Sequence, residues 1–192
     1  MPLAEEMQVL LAPLRSLQKL FEQLNHQGVI IGGVASSILG KNRLTADIDA
    51  MVLLSTEDIP NLLNIAESLG FFPRIKNLAD FARKNRVLLL QHSESSINID
   101  ISLGILPFEE EVIKRSNQIV IGNILIRLPT PEDLIIMKAI AHRPKDILDI
   151  QGIMEIHPDL DKQRIKFWVQ QFAEILGMPE LWIDVKKIMT NQ

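Results

Sequence analysis

The segment Asp47-Ile-Asp-Ala-Met-Val-Leu-Leu54 narrows most what this chain can become. After its opening residues it is an unbroken apolar run, the pattern of a strand covered on both faces. Yet it begins with two carboxylates two positions apart, so both leave the same face of the sheet. Like charges that close repel, and holding both ionised at the mouth of an apolar strand calls for a cation between them. A solvated strand end carries the same Asp-x-Asp pattern, so the pair reads as a site only in company.

The surrounding pattern is that of an α/β protein. Leu10, Leu14, Leu17, Phe21 and Leu24 line one side of an amphipathic helix. Gly28 to Gly32 reads as a short buried strand ending in Gly32-Gly33, followed by a helix over Val34 to Leu39 and a loop around Gly40, Lys41 and Asn42. After the strand at Asp47, a helix spans Glu57 to Leu69 and stops at Gly70. Strands are expected at Phe71 to Ile75, Arg86 to His92 and Ile97 to Ser102, with a short helix over Leu78 to Lys84 and a turn at Gly104 to Pro107. Two apolar runs between Gln118 and Leu128 flank Gly122-Asn123, a hairpin signal. Thr130-Pro-Glu-Asp133 opens a helix, with Thr130 as N-cap, Pro131 at N1 and Asp133 in the place of a capping-box acid. Pro144 breaks it after Arg143, and two or three further helices fill Lys145 to Met189. This organisation gives a core domain with its N-terminal helix over residues 1–128 and a helical region packed on it over 129–192. With 47% hydrophobic and 23% charged residues the chain can bury a real core.

Company for the two aspartates comes from Asp100. In Ile97-Asn-Ile-Asp-Ile-Ser102 isoleucines alternate with polar residues, a half-buried strand with one polar face, so Asp100 projects beside Asp47 and Asp49 if the two strands are neighbours. Three carboxylates suit hard ions such as Mg²⁺ or Mn²⁺, which keep waters and accept phosphate oxygens as further ligands. The bland alternative is that Asp100 completes a strand's wet side. Gly32-Gly33, between strand and helix, offers backbone N–H groups and a close approach to an anion, with Ser36 and Ser37 one turn on; an ordinary tight turn looks the same. Lys138 stands in a helix that is apolar almost all round, so its ammonium either snorkels to water or meets an anion, a bound triphosphate or one of the acids. No carboxylate is evident on that face. Lys41 and Arg43 lie in the loop before Asp47, where cations meet phosphate or simply solvent. Asp146 and Asp149 either cap the next helix or hold Arg143. Phe167, Trp168, Phe172 and Trp182 fall at helical intervals, as core residues do.

Other classes are disfavoured. A net charge of −4 gives no broad basic surface for a long nucleic-acid track. The absence of cysteine removes disulfides and thiolate chemistry, and the four dispersed histidines lack zinc-ligand spacing. No basic leader or membrane-length apolar run is present, so the expectation is a cytoplasmic protein without a membrane partner.

Ile31-Gly32-Gly33, then Arg43-Leu-Thr45-Ala-Asp47-Ile-Asp49, then Asn98-Ile-Asp100 together resemble the pattern of the polymerase-beta nucleotidyltransferase superfamily. More narrowly, Pro131-Glu-Asp-Leu-Ile-Ile-Met-Lys138 and Arg143-Pro-Lys-Asp-Ile-Leu-Asp149 resemble the AbiEii-like branch of abortive-infection and toxin–antitoxin proteins. The resemblance covers about Gly28 to Ile150. It implies an α/β (α+β) fold with a mixed, mostly antiparallel sheet flanked by helices and a C-terminal helical extension. It implies transfer of a nucleoside monophosphate from an NTP to an acceptor hydroxyl, assisted by two Mg²⁺ or Mn²⁺ ions. Asp47 and Asp49 would bind both metals and Asp100 the catalytic one. Gly32, Gly33, Ser36, Arg43, Thr45 and Lys138 would hold the nucleotide. Acceptors consistent with that chemistry are tRNA, a protein or a small molecule, and a cognate toxin or antitoxin protein is a further partner of such a setting. A noncatalytic nucleotide-binding module and an antitoxin-like scaffold remain as alternatives.

Overall fold

The computed structural model describes residues 8–42 and 45–190. The chain divides into two compact units, residues 1–34 with 44–128 and residues 35–43 with 129–192.

The first unit opens with helix α1 (Leu11–Gln23), whose stripe Leu14, Leu17, Leu20 and Phe21 is fully buried. Strand β1 (Gly28–Ile31) passes directly into helix α2 (Gly32–Leu39), which runs across the boundary between the units. The glycine pair thus belongs to the helix rather than to a turn before it. Gly32, at φ +62°, makes the change of direction in one residue, a conformation costly for any side chain with a Cβ. Strand β2 (Asp47–Leu53) follows, then a 3₁₀ turn (Thr56–Asp58), helix α3 (Ile59–Ser68), strand β3 (Phe71–Pro73), helix α4 (Leu78–Asn85) and strands β4 (Val87–His92) and β5 (Asn98–Gly104).

These strands form one sheet in the order β1-β2-β5-β4-β3. All neighbours are antiparallel except β2 and β5, which are parallel at its centre. The parallel pair exists because the chain leaves the far end of β2 and returns to the near end through α3, β3, α4 and β4, so β2 and β5 begin at the same edge. Ile48, Ala50, Met51 and Val52 of β2 are buried, as the apolar run requires.

Beyond β5 the sequence leads one to expect only a turn, but a helix, α5 (Pro107–Arg115), stands there. Pro107 occupies the first turn, and the Glu109 carboxylate accepts hydrogen bonds from the backbone N–H groups of Ile105 (2.7 Å) and Leu106 (2.8 Å). Phe108, Val112 and Ile113 bury its inner face. Strands β6 (Asn117–Ile121) and β7 (Ile124–Leu128) form the hairpin about Gly122-Asn123, and α1 and β1 both pack against β7.

The second unit comprises the end of α2 and helices α6 (Pro131–Ala141), α7 (Pro144–Ile156), α8 (Lys162–Leu176) and α9 (Glu180–Thr190). Helix α6, apolar nearly all round, touches α7, α8 and α9. The Thr130 hydroxyl caps it by accepting from Asp133 N–H at 3.3 Å. Asp133 also links α6 to α8. Its fully buried carboxylate accepts from Arg164 Nε of α8 at 2.7 Å. Of the aromatic residues of α8, Phe167 is exposed and packs edge-on against Trp168, while Trp168 and Phe172 are half-buried and stack on each other. Among the described residues, no helix is long and apolar enough to cross a membrane.

Candidate active site

The register of the parallel pair builds the site. Asp47 lies opposite Asn98, and Asp49 lies opposite Asp100. Registered residues on neighbouring strands share a face at one strand spacing, so the carboxylates of Asp49 and Asp100 stand side by side, with Asp47 two residues nearer the edge. On the other flank Asp49 opposes Ile31, the last residue of β1. Gly32 therefore begins its helix against this acid. A Cβ on Gly32 would lie 1.9 Å from Asp49 Oδ2, so only glycine leaves room for the carboxylate. Asn98 Nδ2 donates to Asp47 Oδ1 at 3.1 Å. Thr45 Oγ1 donates to the Asp47 carbonyl at 3.0 Å, closing the backbone just before β2.

The electrostatics follow from this crowding. Burial pushes the Asp100 carboxyl above its ordinary value, the Arg74 guanidinium pulls it back, and the charges of Asp49 and Asp47 raise it further, leaving it raised. Arg74 forms an ion pair and hydrogen bond with Asp100 Oδ1. The donor set is all hard oxygen, with excess negative charge and a glycine-lined approach, which fits Mg²⁺ or Mn²⁺ better than a softer ion. As the side chains stand, no three acidic or imidazole groups among the described residues are gathered as a finished metal set. Two of the carboxylates are engaged instead, Asp47 by Asn98 and Asp100 by Arg74.

A family described as nucleotidyltransferase of unknown function, DUF6036, matches residues 8–171, most of the chain and all of this site. The protein belongs to that family. It is accordingly a transferase of the nucleotidyltransferase class. No curated protein matches it in sequence. Solved structures share its fold. The solution structure of the antibiotic-resistance factor ANT(2'')-Ia superposes with a TM-score of 0.59 at 16% identity, covering 92% of this chain and 97% of that one. The crystal structure of an antigenic nucleotidyltransferase-like protein from Paracoccidioides brasiliensis superposes with a TM-score of 0.50 at 15% identity, covering 91% of each.

The remaining residues singled out in this nucleotidyltransferase fall into different surroundings. Arg43 lies outside the described residues. Gly33 continues the first turn of α2, and Ser36 of the same helix is buried. Lys41 pairs with Glu155 at 2.5 Å. Lys138 has the carboxylate partners that its own helix lacks: Nζ donates to Asp146 at 3.0 Å and to Asp149 at 2.7 Å, both from α7. Asp146 also accepts from Arg143 Nε at 2.5 Å and Nη2 at 3.1 Å. Lys138 and Asp146 are buried, so this network neutralises charge inside the helical unit. Arg74 is the site residue that sequence reasoning passes over. It follows Pro73 in a short segment with no charge pattern, and only the pairing of β3 with β4 brings it toward Asp100.

Proposed function

We propose that this protein transfers a nucleoside monophosphate from an NTP to an acceptor hydroxyl, releasing pyrophosphate, with Asp47, Asp49 and Asp100 as the ligands of two divalent ions. The observation that carries this reading is the parallel register that sets Asp49 beside Asp100 while Gly32 yields its Cβ space to Asp49. When bound, Mg²⁺ or Mn²⁺ would offset phosphate charge and lower the acceptor hydroxyl's pKa. The chain's own residues do the positioning. Asn98 fixes the Asp47 carboxylate, and Thr45 braces the backbone before it. Gly32 and Gly33, at the start of α2, are the residues that would receive an NTP's phosphates. The family's transfer class and the site's charge both support this assignment.

The test is incubation of the protein with each α-labelled NTP, Mg²⁺, and total RNA or lysate. Label should appear in an acceptor, whose chemistry identifies it as tRNA, protein or small molecule, and Asp49→Asn should abolish the product. Metal-dependent NTP binding with no label transferred would instead mark a nucleotide-sensing module. A toxin–antitoxin or phage-defence setting forms part of the proposal, and growth arrest on induced expression that Asp49→Asn relieves is its expected sign.

A further inference from the structure

A single row of residues crosses the sheet through the site. Ile31, Asp49, Asp100 and Leu89 are successive register partners on β1, β2, β5 and β4. Pro73 pairs with Leu90, and Arg74 N–H donates to the Leu89 carbonyl at 2.9 Å, so Arg74 ends this row on the far side of β4. Two strand spacings, about 9.5 Å, separate its backbone from that of Asp100. Arginine bridges that span by lying over Leu89, and its guanidinium ends on Asp100 Oδ1. The pull is directed away from Asp49, which flanks Asp100 on the opposite side.

The row's two carboxylates, with Asp47 two residues away, outnumber the one guanidinium and leave the site net negative, so the ion pair is favourable while no other cation is present. Yet the oxygen that Arg74 holds belongs to one of the three acids assigned to metal. We infer that Arg74 is a resident counter-cation that competes with the divalent ion for the Asp100 carboxylate, so that opening this ion pair favours closure of the metal set. The inference rests on the metal reading of the three acids. It accounts for a site whose acids share one face but are not gathered around a common point. Both partners are partly open to solvent, with side-chain exposures of 26% for Arg74 and 37% for Asp100, so the pair is a weak competitor rather than a lock. Solvent-screened pairs of this kind shift an equilibrium by up to about fivefold.

The experiment is a titration of the full-length protein with Mn²⁺ alone, free ion read by electron paramagnetic resonance, for wild type, Arg74→Gln and Asp49→Asn. Arg74→Gln should bind Mn²⁺ roughly two- to fivefold more tightly. Unchanged or weaker binding would overturn the inference, weaker binding because it would make Arg74 a support for the ligand instead of a rival. Asp49→Asn separates the two readings. If it leaves Mn²⁺ affinity intact, the metal assignment itself fails. If it weakens binding while Arg74→Gln does not tighten it, only the counter-cation role is lost. Should Arg74→Gln not fold, the wild-type protein supplies the answer: the Arg74 Nε–H resonance should move on Mg²⁺ addition, and a resonance that stays in place at saturating Mg²⁺ overturns the proposal.

Discussion

At Asp100 the proposed metal role and stability pull in opposite directions. Burial, joined by repulsion from Asp49 and Asp47, outweighs Arg74 and leaves its folded-state pKa above the unfolded one. A carboxyl with a raised folded pKa favours the fold while protonated, below the unfolded value, and that contribution is lost as pH rises through the folded value. At neutral pH the charged group therefore works against folding. Asp100→Asn should abolish nucleotidyl transfer and yet melt at or above the wild-type temperature at pH 7, with the advantage shrinking toward pH 3. Thermal melts across that range, beside the label-transfer assay, check both halves. Gly32 poses the reverse case. Gly32→Ala adds a Cβ to a residue at φ +62° and directs it into the Asp49 carboxylate, so it should cost about 1–3 kcal/mol and reduce transfer by displacing that acid. A denaturant midpoint equal to wild type would refute the close approach.

Elements were legible where a pattern was long and self-consistent. The apolar run of β2, the alternation of β5, the Gly122-Asn123 hairpin and the Thr130-Pro131 helix start each declare themselves within a few residues, because period and punctuation agree. Helix α5 has start signals in Pro107 at N1 and Glu109 two residues on, but its buried residues, Phe108, Val112 and Ile113, span barely two turns, too few for a helical period to show in the sequence. Pairing between elements was beyond reach. No local rule tells that β5 lies beside β2, that Arg74 arrives over β4, or that α7 brings Asp146 and Asp149 to Lys138. That last network carries its own prediction. Lys138→Met removes the buried ammonium shared by two carboxylates and should destabilise the helical unit by about 3–5 kcal/mol, measured by denaturant unfolding. Asp146 adds a pH signature. Burial pushes its carboxyl up, but the hydrogen bonds and positive charges of Arg143 and Lys138 together outweigh burial and leave it lowered. Its stabilisation is therefore full above the unfolded carboxylate value, about 3.9, and fades as pH falls through the lower folded value. Asp146→Asn should flatten the acid limb of the stability curve.

At the scale of the whole molecule, charge limits how an acceptor can be held. The chain carries 24 acidic against 20 basic side chains, a net −4. Several of the basic groups are already paired within the fold: Arg74 with Asp100, Lys138 and Arg143 with Asp146, Arg164 with Asp133, and Lys41 with Glu155. A polynucleotide draped along a protein gains its affinity by releasing counterions, with a salt slope that counts the phosphates neutralised. A chain with this balance can neutralise few of them at once. If the acceptor is an RNA, the slope of log K against log salt should stay at or below about 2 in magnitude, the mark of one terminus gripped near the acids rather than a track along the surface. Filter binding of the identified acceptor between low and physiological salt measures it. A slope of about 5 or more would show a local basic surface that the net charge does not reveal, and would move recognition of the acceptor away from the proposed centre of Asp47, Asp49 and Asp100.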